Sequence, residues 1–304
     1  MSTPLHKAML AGLLLALTPG SGHALERLAP YSILPDGRQQ VQMNMSHTSY
    51  ASDMFSATGK HLARVENTST YLRLVYRNTL LAKTELTLDL PWYLERGQRT
   101  HATSGKTTSK YDSDGGLGDV SVALTRQLLT GKNDGWAVNA GVEVKPPTGD
   151  EEDGLGTGAW GGLVRAAVCW NTGFGQTYLV SYYNVNGKGD VGGVRTDEGD
   201  ELYAALGWRS PLAGGFGVDV RAIGQFVTST TVKENNGQAV EYETYALPGF
   251  QVTARFLVRR NVEVDLMHRS QFPERHGYRI GNASFVRESG ARQNTSLMLR
   301  WAWQ

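Results

Sequence analysis

Residues 250–266 read FQVTARFLVRRNVEVDL. Phe250, Val252, Ala254, Phe256 and Val258 alternate with Gln251, Thr253, Arg255 and Leu257. After Arg259-Arg260, Val262, Val264 and Leu266 alternate with Glu263 and Asp265. A strand turns successive side chains to opposite faces, so this stretch predicts a hairpin with one apolar face and one largely polar face. A link this short joins only antiparallel neighbours.

The same period of two recurs along the chain. Leu86 to Trp92, Val120 to Leu124, Val138 to Val144, Phe216 to Val220 and Leu297 to Trp303 all alternate. About twelve strands are expected, near 38–49, 69–77, 82–94, 117–127, 135–146, 159–170, 174–185, 199–209, 215–229, 241–258, 261–269 and 291–303. Their connections alternate in length. Short ones fall at 78–81, 128–134, 171–173, 210–214 and 259–260, and long ones near 50–68, 95–116, 147–158, 186–198, 230–240 and 270–290. Outer-membrane barrels follow this rule, with short periplasmic turns and long external loops.

A half-buried soluble sheet also alternates, but it has no reason to sort its tryptophans. All seven fall near expected strand ends in the apolar phase: Trp136, Trp170, Trp208, Trp301 and Trp303 at the short-turn end, Trp92 and Trp160 at the long-loop end. Amphipathic rings prefer the membrane–water boundary, so they read as two aromatic girdles. The ten residues from Trp160 to Trp170 cover about 25 Å when tilted, the height of an apolar band. Hydrocarbon offers no partner to a free sheet edge, so such a sheet must close. The expected fold class is all-β: a transmembrane antiparallel up-and-down β-barrel of about twelve strands over residues 38–304.

The N-terminus reads as a cleavable signal peptide over residues 1–24. Lys7 supplies positive charge, Ala8 to Leu17 an apolar core too short to span a bilayer, and Gly22-His23-Ala24 the small residues that precede a cut. Residues 25–37 form a periplasmic N-terminal segment. Export to an oxidising compartment suits a single cysteine, Cys169, which has no internal partner. A net charge of +1 gives no reason to expect nucleic acid as a partner. The expected partners are outer-membrane lipid, lipopolysaccharide and a small-molecule solute. The last strand ends on Trp303 with Gln304 after it, close to the terminal aromatic that barrel-assembly machinery reads. No cofactor or metal is expected. The acidic run Asp150-Glu151-Glu152-Asp153 lacks the alternate spacing of a calcium loop.

Opposite-phase positions should face the lumen. They carry Arg73, Arg77, Lys83, Glu85, Asp89, Asp119, Glu143, Lys145, Arg165, Glu201, Asp219, Arg221, Arg255, Glu263, Asp265, Arg269 and Arg300. Such charges either fill a narrow barrel as ion pairs or tune a polar conduit. Two His-x-Ser triplets, His47-Thr48-Ser49 and His268-Arg269-Ser270, sit at external strand ends in the outward phase. That arrangement resembles outer-membrane phospholipases, whose histidine activates a serine beside the headgroups. Here Tyr50 and Gln271 follow the serines, where those enzymes have Asn-Gly. A barrel hydrolase of the phospholipase or lipid A deacylase type, and a structural or adhesin barrel, are the alternatives to a channel.

Two glycine-rich motifs remain: Gly116-Leu117-Gly118-Asp119, then Lys145-Pro146-Pro147-Thr148-Gly149-Asp150 followed by Leu155-Gly156-Thr157-Gly158. They form no phosphate loop, because no lysine follows the second glycine. At these residues the chain resembles the outer-membrane barrel family named for the MetA pathway of phenol degradation. The resemblance implies an outer-membrane transporter that passes small molecules, aromatic or hydrophobic compounds among them, and assigns no functional residue.

Overall fold

A computed structural model describes residues 33–303 except 106, 114, 133–134, 151–154, 192–193, 198, 234–238 and 281–282, so the expected signal peptide and most of the acidic run lie outside the described residues. Within them the chain forms twenty strands: β1 (Gln39–Ser56), β2 (His61–Leu81), β3 (Thr84–Ala102), β4 (Thr107–Ser113), β5 (Gly116–Leu117), β6 (Ser121–Thr130), β7 (Trp136–Lys145), β8 (Gly161–Thr172), β9 (Gly175–Asn186), β10 (Lys188–Val191), β11 (Val194–Asp197), β12 (Glu201–Arg209), β13 (Phe216–Val227), β14 (Thr230–Lys233), β15 (Ala239–Tyr242), β16 (Tyr245–Arg259), β17 (Val262–Gln271), β18 (Glu274–Ile280), β19 (Ala283–Ser289) and β20 (Arg292–Trp303).

Twelve of these make a closed wall in the order β1-β2-β3-β6-β7-β8-β9-β12-β13-β16-β17-β20. Closure comes at β1, which pairs with β2 from Gln39 to Phe55 and with β20 from Gln39 to Ser49. Every pair is antiparallel. The expected barrel and its parity hold: Val122, Val142, Val164, Leu179, Leu206, Val220, Phe250, Phe256 and Leu266 point outward and are exposed, while Glu85, Asp89, Asn139, Tyr178, Asp219, Arg255, Glu263 and Asp265 are buried inside. Apolar outside and polar inside inverts a soluble protein and suits a hydrocarbon surround.

The long connections differ from the expected loops, because most of them continue as strands. β1 runs on to Ser56 and β2 starts at His61, both inside the expected loop at 50–68. Strands β10, β11, β14, β15, β18 and β19 pair in succession back to β1. The cause is that strand pairing satisfies backbone groups in water as well as in lipid, so a ladder outlasts the apolar pattern that marks the membrane band.

This collar is interrupted above β7 and β8, where β7 ends at Lys145 and β8 begins at Gly161. The intervening loop is clipped by Asp119. Its Oδ1 accepts from the backbone N of Thr148 (3.1 Å) and Gly149 (3.0 Å), and its Oδ2 from Thr157 N (2.9 Å) and Thr157 Oγ1 (2.8 Å). Thr148 Oγ1 in turn accepts from Val120 N at 2.8 Å. A Cβ on Gly149 would stand 2.8 Å from Gly118 C and Gly156 Cα. The two glycine motifs are thus one loop clasp built on close backbone approach.

Two outcomes are expected. Val164→Arg places a guanidinium in the outward apolar band and costs about 2–4 kcal/mol in urea unfolding from lipid vesicles; unchanged stability would contradict the outward assignment. Gly149→Ala forces the clasp apart, so limited proteolysis between residues 147 and 158 should accelerate while the barrel keeps its heat-shifted gel mobility.

Candidate functional site

Barrel parity sends one side chain in two to the interior, and the interior is stratified. At the short-turn end the chain enters through Leu34, which is 2% exposed and packs against Ala302. Leu34 N donates to Glu85 Oε2 at 2.9 Å, and Thr79 Oγ1 donates to Leu34 O at 3.1 Å. Glu85 is also held in a forked contact by Arg77, Nε to Oε1 at 2.8 Å and Nη2 to Oε2 at 2.9 Å. Asp36 Oδ1 accepts from Lys83 N at 3.1 Å, which ties the entering segment to the β2–β3 turn.

Nearby, Glu263 is fully buried among three guanidinium groups: Arg255 Nε at 2.9 Å, Arg209 Nη2 at 3.0 Å and Arg300 Nη1 at 3.3 Å. Arg300 also grips Asp265, and Arg255 Nη1 donates to Ser210 O at 3.1 Å. A lone buried charge is costly, so neither sign is placed here without the other. Further from the turns, Tyr178 donates to Asp219 Oδ1 at 2.7 Å, and Arg221 Nη2 approaches the same oxygen at 3.3 Å. Gly207 makes room for that tyrosine, because a Cβ there would lie 2.3 Å from its ring.

The interior holds a cavity of about 520 Å³ whose lining takes in Arg77, Asp219, Arg221, Arg255, Asp265 and Arg300 of these layers. On β1 its lining runs from Gln40 to Thr48. A smaller cavity of about 220 Å³ shares Gln42, Arg73 and Arg77 with it and extends to Asp89, Glu143 and Arg165. Arg73 pairs with Asp89, and Arg165 donates to Thr125. On the wall of the larger cavity Tyr182 lies flat against the buried Tyr203, centroids 4.5 Å apart and planes within 5°. A third cavity of about 170 Å³ lies in the collar, where the His276 ring stacks on Tyr245 with centroids 4.6 Å apart. Burial, helped by Arg287, pushes the His276 pKa down to about 4 and keeps the ring neutral.

Of the charged residues read from the sequence, Arg73, Arg77, Glu201, Asp219, Arg221, Arg255, Asp265, Arg269 and Arg300 line the larger cavity, and Asp89, Glu143 and Arg165 the smaller. Glu85 and Glu263 are buried beside the cavities as ion-pair partners. Three others fall outside both cavities. Asp119 is the loop clasp described above, because its strand has not yet begun there. Lys83 sits in the β2–β3 turn with φ 61°, a left-handed conformation that a wall residue does not adopt. Lys145 closes β7 opposite Gly161.

A reading by charge leaves out the neutral lining residues Gln40, Tyr182, Gln225 and Gln251, and the sequence reading also omits the inward arginines Arg209 and Arg292 and the buried Leu34. Parity alone would have found all but Leu34, which precedes the first strand.

On the outer face Trp92, Trp136, Trp160, Trp170 and Trp208 are exposed, and the rings of Trp301 and Trp303 lie 5.0 Å apart. Neither His-x-Ser triplet is joined by a hydrogen bond. His47 Nδ1 meets Thr70 Oγ1 at 2.9 Å, His268 Nδ1 meets Thr295 Oγ1 at 3.1 Å, and Ser270 Oγ accepts from Gln293 Nε2 at 3.0 Å.

A family model described as "Putative MetA-pathway of phenol degradation" matches residues 29–270. Among solved structures, an outer membrane channel from Pseudomonas putida F1 superposes with a TM-score of 0.61 at 16% identity, covering 90% of this chain and 99% of that one. A deletion mutant of TodX, a monoaromatic hydrocarbon channel, superposes with a TM-score of 0.50 at 12% identity, covering 94% and 97%. Wild-type TodX comes from Pseudomonas putida. Both likenesses are of fold. No curated protein matches the chain in sequence.

Glu263→Gln should leave three guanidiniums around a neutral amide and cost about 3–5 kcal/mol of unfolding free energy in vesicles. A smaller loss than that of Val164→Arg would show that the cluster is hydrated rather than sealed.

Proposed function

We propose that this chain, which belongs to the MetA-pathway of phenol degradation family, is a passive outer-membrane channel for small molecules. The observation that carries the reading is the length of the polar cavity. Its lining on β1 spans Gln40 to Thr48, about 27 Å of strand at roughly 3.4 Å per residue. A barrel stabilised only by packing would fill this volume with side chains. The names of its fold neighbours, an outer membrane channel and a monoaromatic hydrocarbon channel, agree with that reading.

In this reading residues 1–24 direct export and are removed, and residues 25–37 belong to the periplasmic side. Leu34 narrows the exit there. The tryptophans meet the two membrane boundaries, lipopolysaccharide contacts the outer one, and assembly machinery reads the final strand. The charged lumen positions tune passage rather than perform chemistry. The hydrolase alternative lacks its first requirement, a histidine hydrogen-bonded to its serine: His47 Nδ1 and His268 Nδ1 each meet a threonine, and neither histidine bonds to the serine of its triplet.

Reconstitution in planar bilayers should give discrete conductance steps, and Leu34→Ala should enlarge them. Absence of both conductance and solute uptake into vesicles would refute the channel. The same vesicles should release no fatty acid; release that disappears in Ser49→Ala or Ser270→Ala would establish the hydrolase instead.

A further inference from the structure

The lumen has a sign and a shape that the channel reading leaves unused. Among the described residues the larger cavity is lined by seven arginines against three carboxylates, Glu201, Asp219 and Asp265. Behind that lining lie Arg209 and three more carboxylates, Glu85, Asp89 and Glu263, each paired with an arginine of the cluster, so eight guanidiniums face six acids and the excess falls to two. Wall strands enclose the cavity, so the field of the extra guanidiniums is focused along it rather than screened by bulk water.

The excess is local. Arg269 on β17 makes no ion pair among the described residues. Its Nη2 donates to Gln225 Oε1 at 3.2 Å, while its buried Nε has no hydrogen-bond partner. Gln271 Nε2 donates to the same Gln225 oxygen at 2.7 Å, and Gln225 Nε2 donates to Glu201. Gln225 thus spaces the one nearby carboxylate from the guanidinium. Arg292, the neighbour of Gln271 across β20, lines both the lumen and the collar cavity, with its Cζ 4.4 Å from the Tyr50 ring centre. Among the described residues it makes no ion pair within 4 Å, and Glu274 shares the collar cavity with it.

Beside Arg269 lies the tyrosine pair. The Arg269 Cζ stands 5.6 Å from the Tyr203 ring centre. Tyr182 faces the cavity, and both rings are backed by Ala167, Val180, Ala205 and Ile223. Cross-strand pairing sets Arg165, Tyr182, Tyr203 and Gln225 in one row, so a flat aromatic shelf has a guanidinium on each side. An unsubstituted hydrocarbon offers these donors nothing and would strip their water. A carboxylate on a planar ring satisfies both parts: its oxygens meet Arg269, and its ring lies along Tyr182. A cavity of about 520 Å³ suits such a molecule.

We propose that the Tyr182–Tyr203 shelf and Arg269 form a selectivity site for small aromatic carboxylates, with Arg292 drawing the anion in from the collar. This rests on the channel reading for its purpose but not for its chemistry, and the two are tested separately.

Benzoate and benzyl alcohol, matched in ring and size, are titrated calorimetrically into the detergent-purified mature chain. Benzoate is expected to bind at least tenfold tighter. Arg269→Gln should erase that preference without weakening benzyl alcohol, and Arg269→Lys should restore part of it, which separates lost charge from lost folding. In bilayers under a KCl gradient the reversal potential should favour chloride, less so in Arg269→Gln. Equal affinity for the two probes, a preference that survives Arg269→Gln, or potassium selectivity would each overturn the proposal. A chain that binds benzoate through Arg269 yet neither conducts nor takes up solute would refute the channel and leave the site standing. A potassium-selective chain without benzoate preference would do the reverse.

Discussion

Closure of the backbone hydrogen-bond ladder is the constraint from which the rest follows. β1 gives one edge to β2 and the other to β20, so no wall strand keeps a free border. An unpaired amide or carbonyl in hydrocarbon costs several kcal/mol, and an open sheet has a whole row of them. Once the ring is closed, each residue's face is decided by parity. Apolar residues then stabilise the protein by meeting lipid, and charged residues are tolerated only where the ring hides them.

The interior carries the consequence. Twelve strands enclose more width than side chains fill without gaps, yet too little for bulk water to solvate isolated charges. The chain resolves this by depth. Near the short turns, by the buried pair Leu34 and Ala302, acids and bases are matched closely: Glu85 by Arg77, Glu263 by three arginines, Asp265 by Arg300. Further up the cavity, Arg269 stands beside Gln225 and the Tyr203 ring. Charges are matched closely around the most deeply buried acids and left in excess nearer the collar, as the steep cost of an unpaired buried charge requires.

The wall was legible from residues because parity survives in every strand that faces lipid. Phe250 to Val258 announces its faces with no knowledge of its partners. The collar was not, because segments such as His61 to Thr70 meet water on their outer side and lose the apolar signal while keeping their pairing. Asp119 shared the parity of the lumen acids but lies before β6 begins, and only the folded loop shows its backbone partners. Reading by charge found the ion pairs and overlooked the shelf. Tyr182 and Tyr203 stand in the inward phase, but their stacking depends on the register between β9 and β12, which alternation does not encode.

The order of the layers bears on passage as well as stability. An anion held at Arg269 and the tyrosine shelf would find a guanidinium whose Nε has no hydrogen-bond partner. Moving towards the short turns it meets arginines already gripped by Asp219, Glu263 and Asp265. Each of these offers less to an incoming carboxylate, because its own acid must first be displaced. On the proposed path, affinity would therefore fall from the collar towards the short-turn end. A conduit that captures at one depth and releases at another needs that gradient, since a uniform ladder of bare arginines would hold its anion at every step.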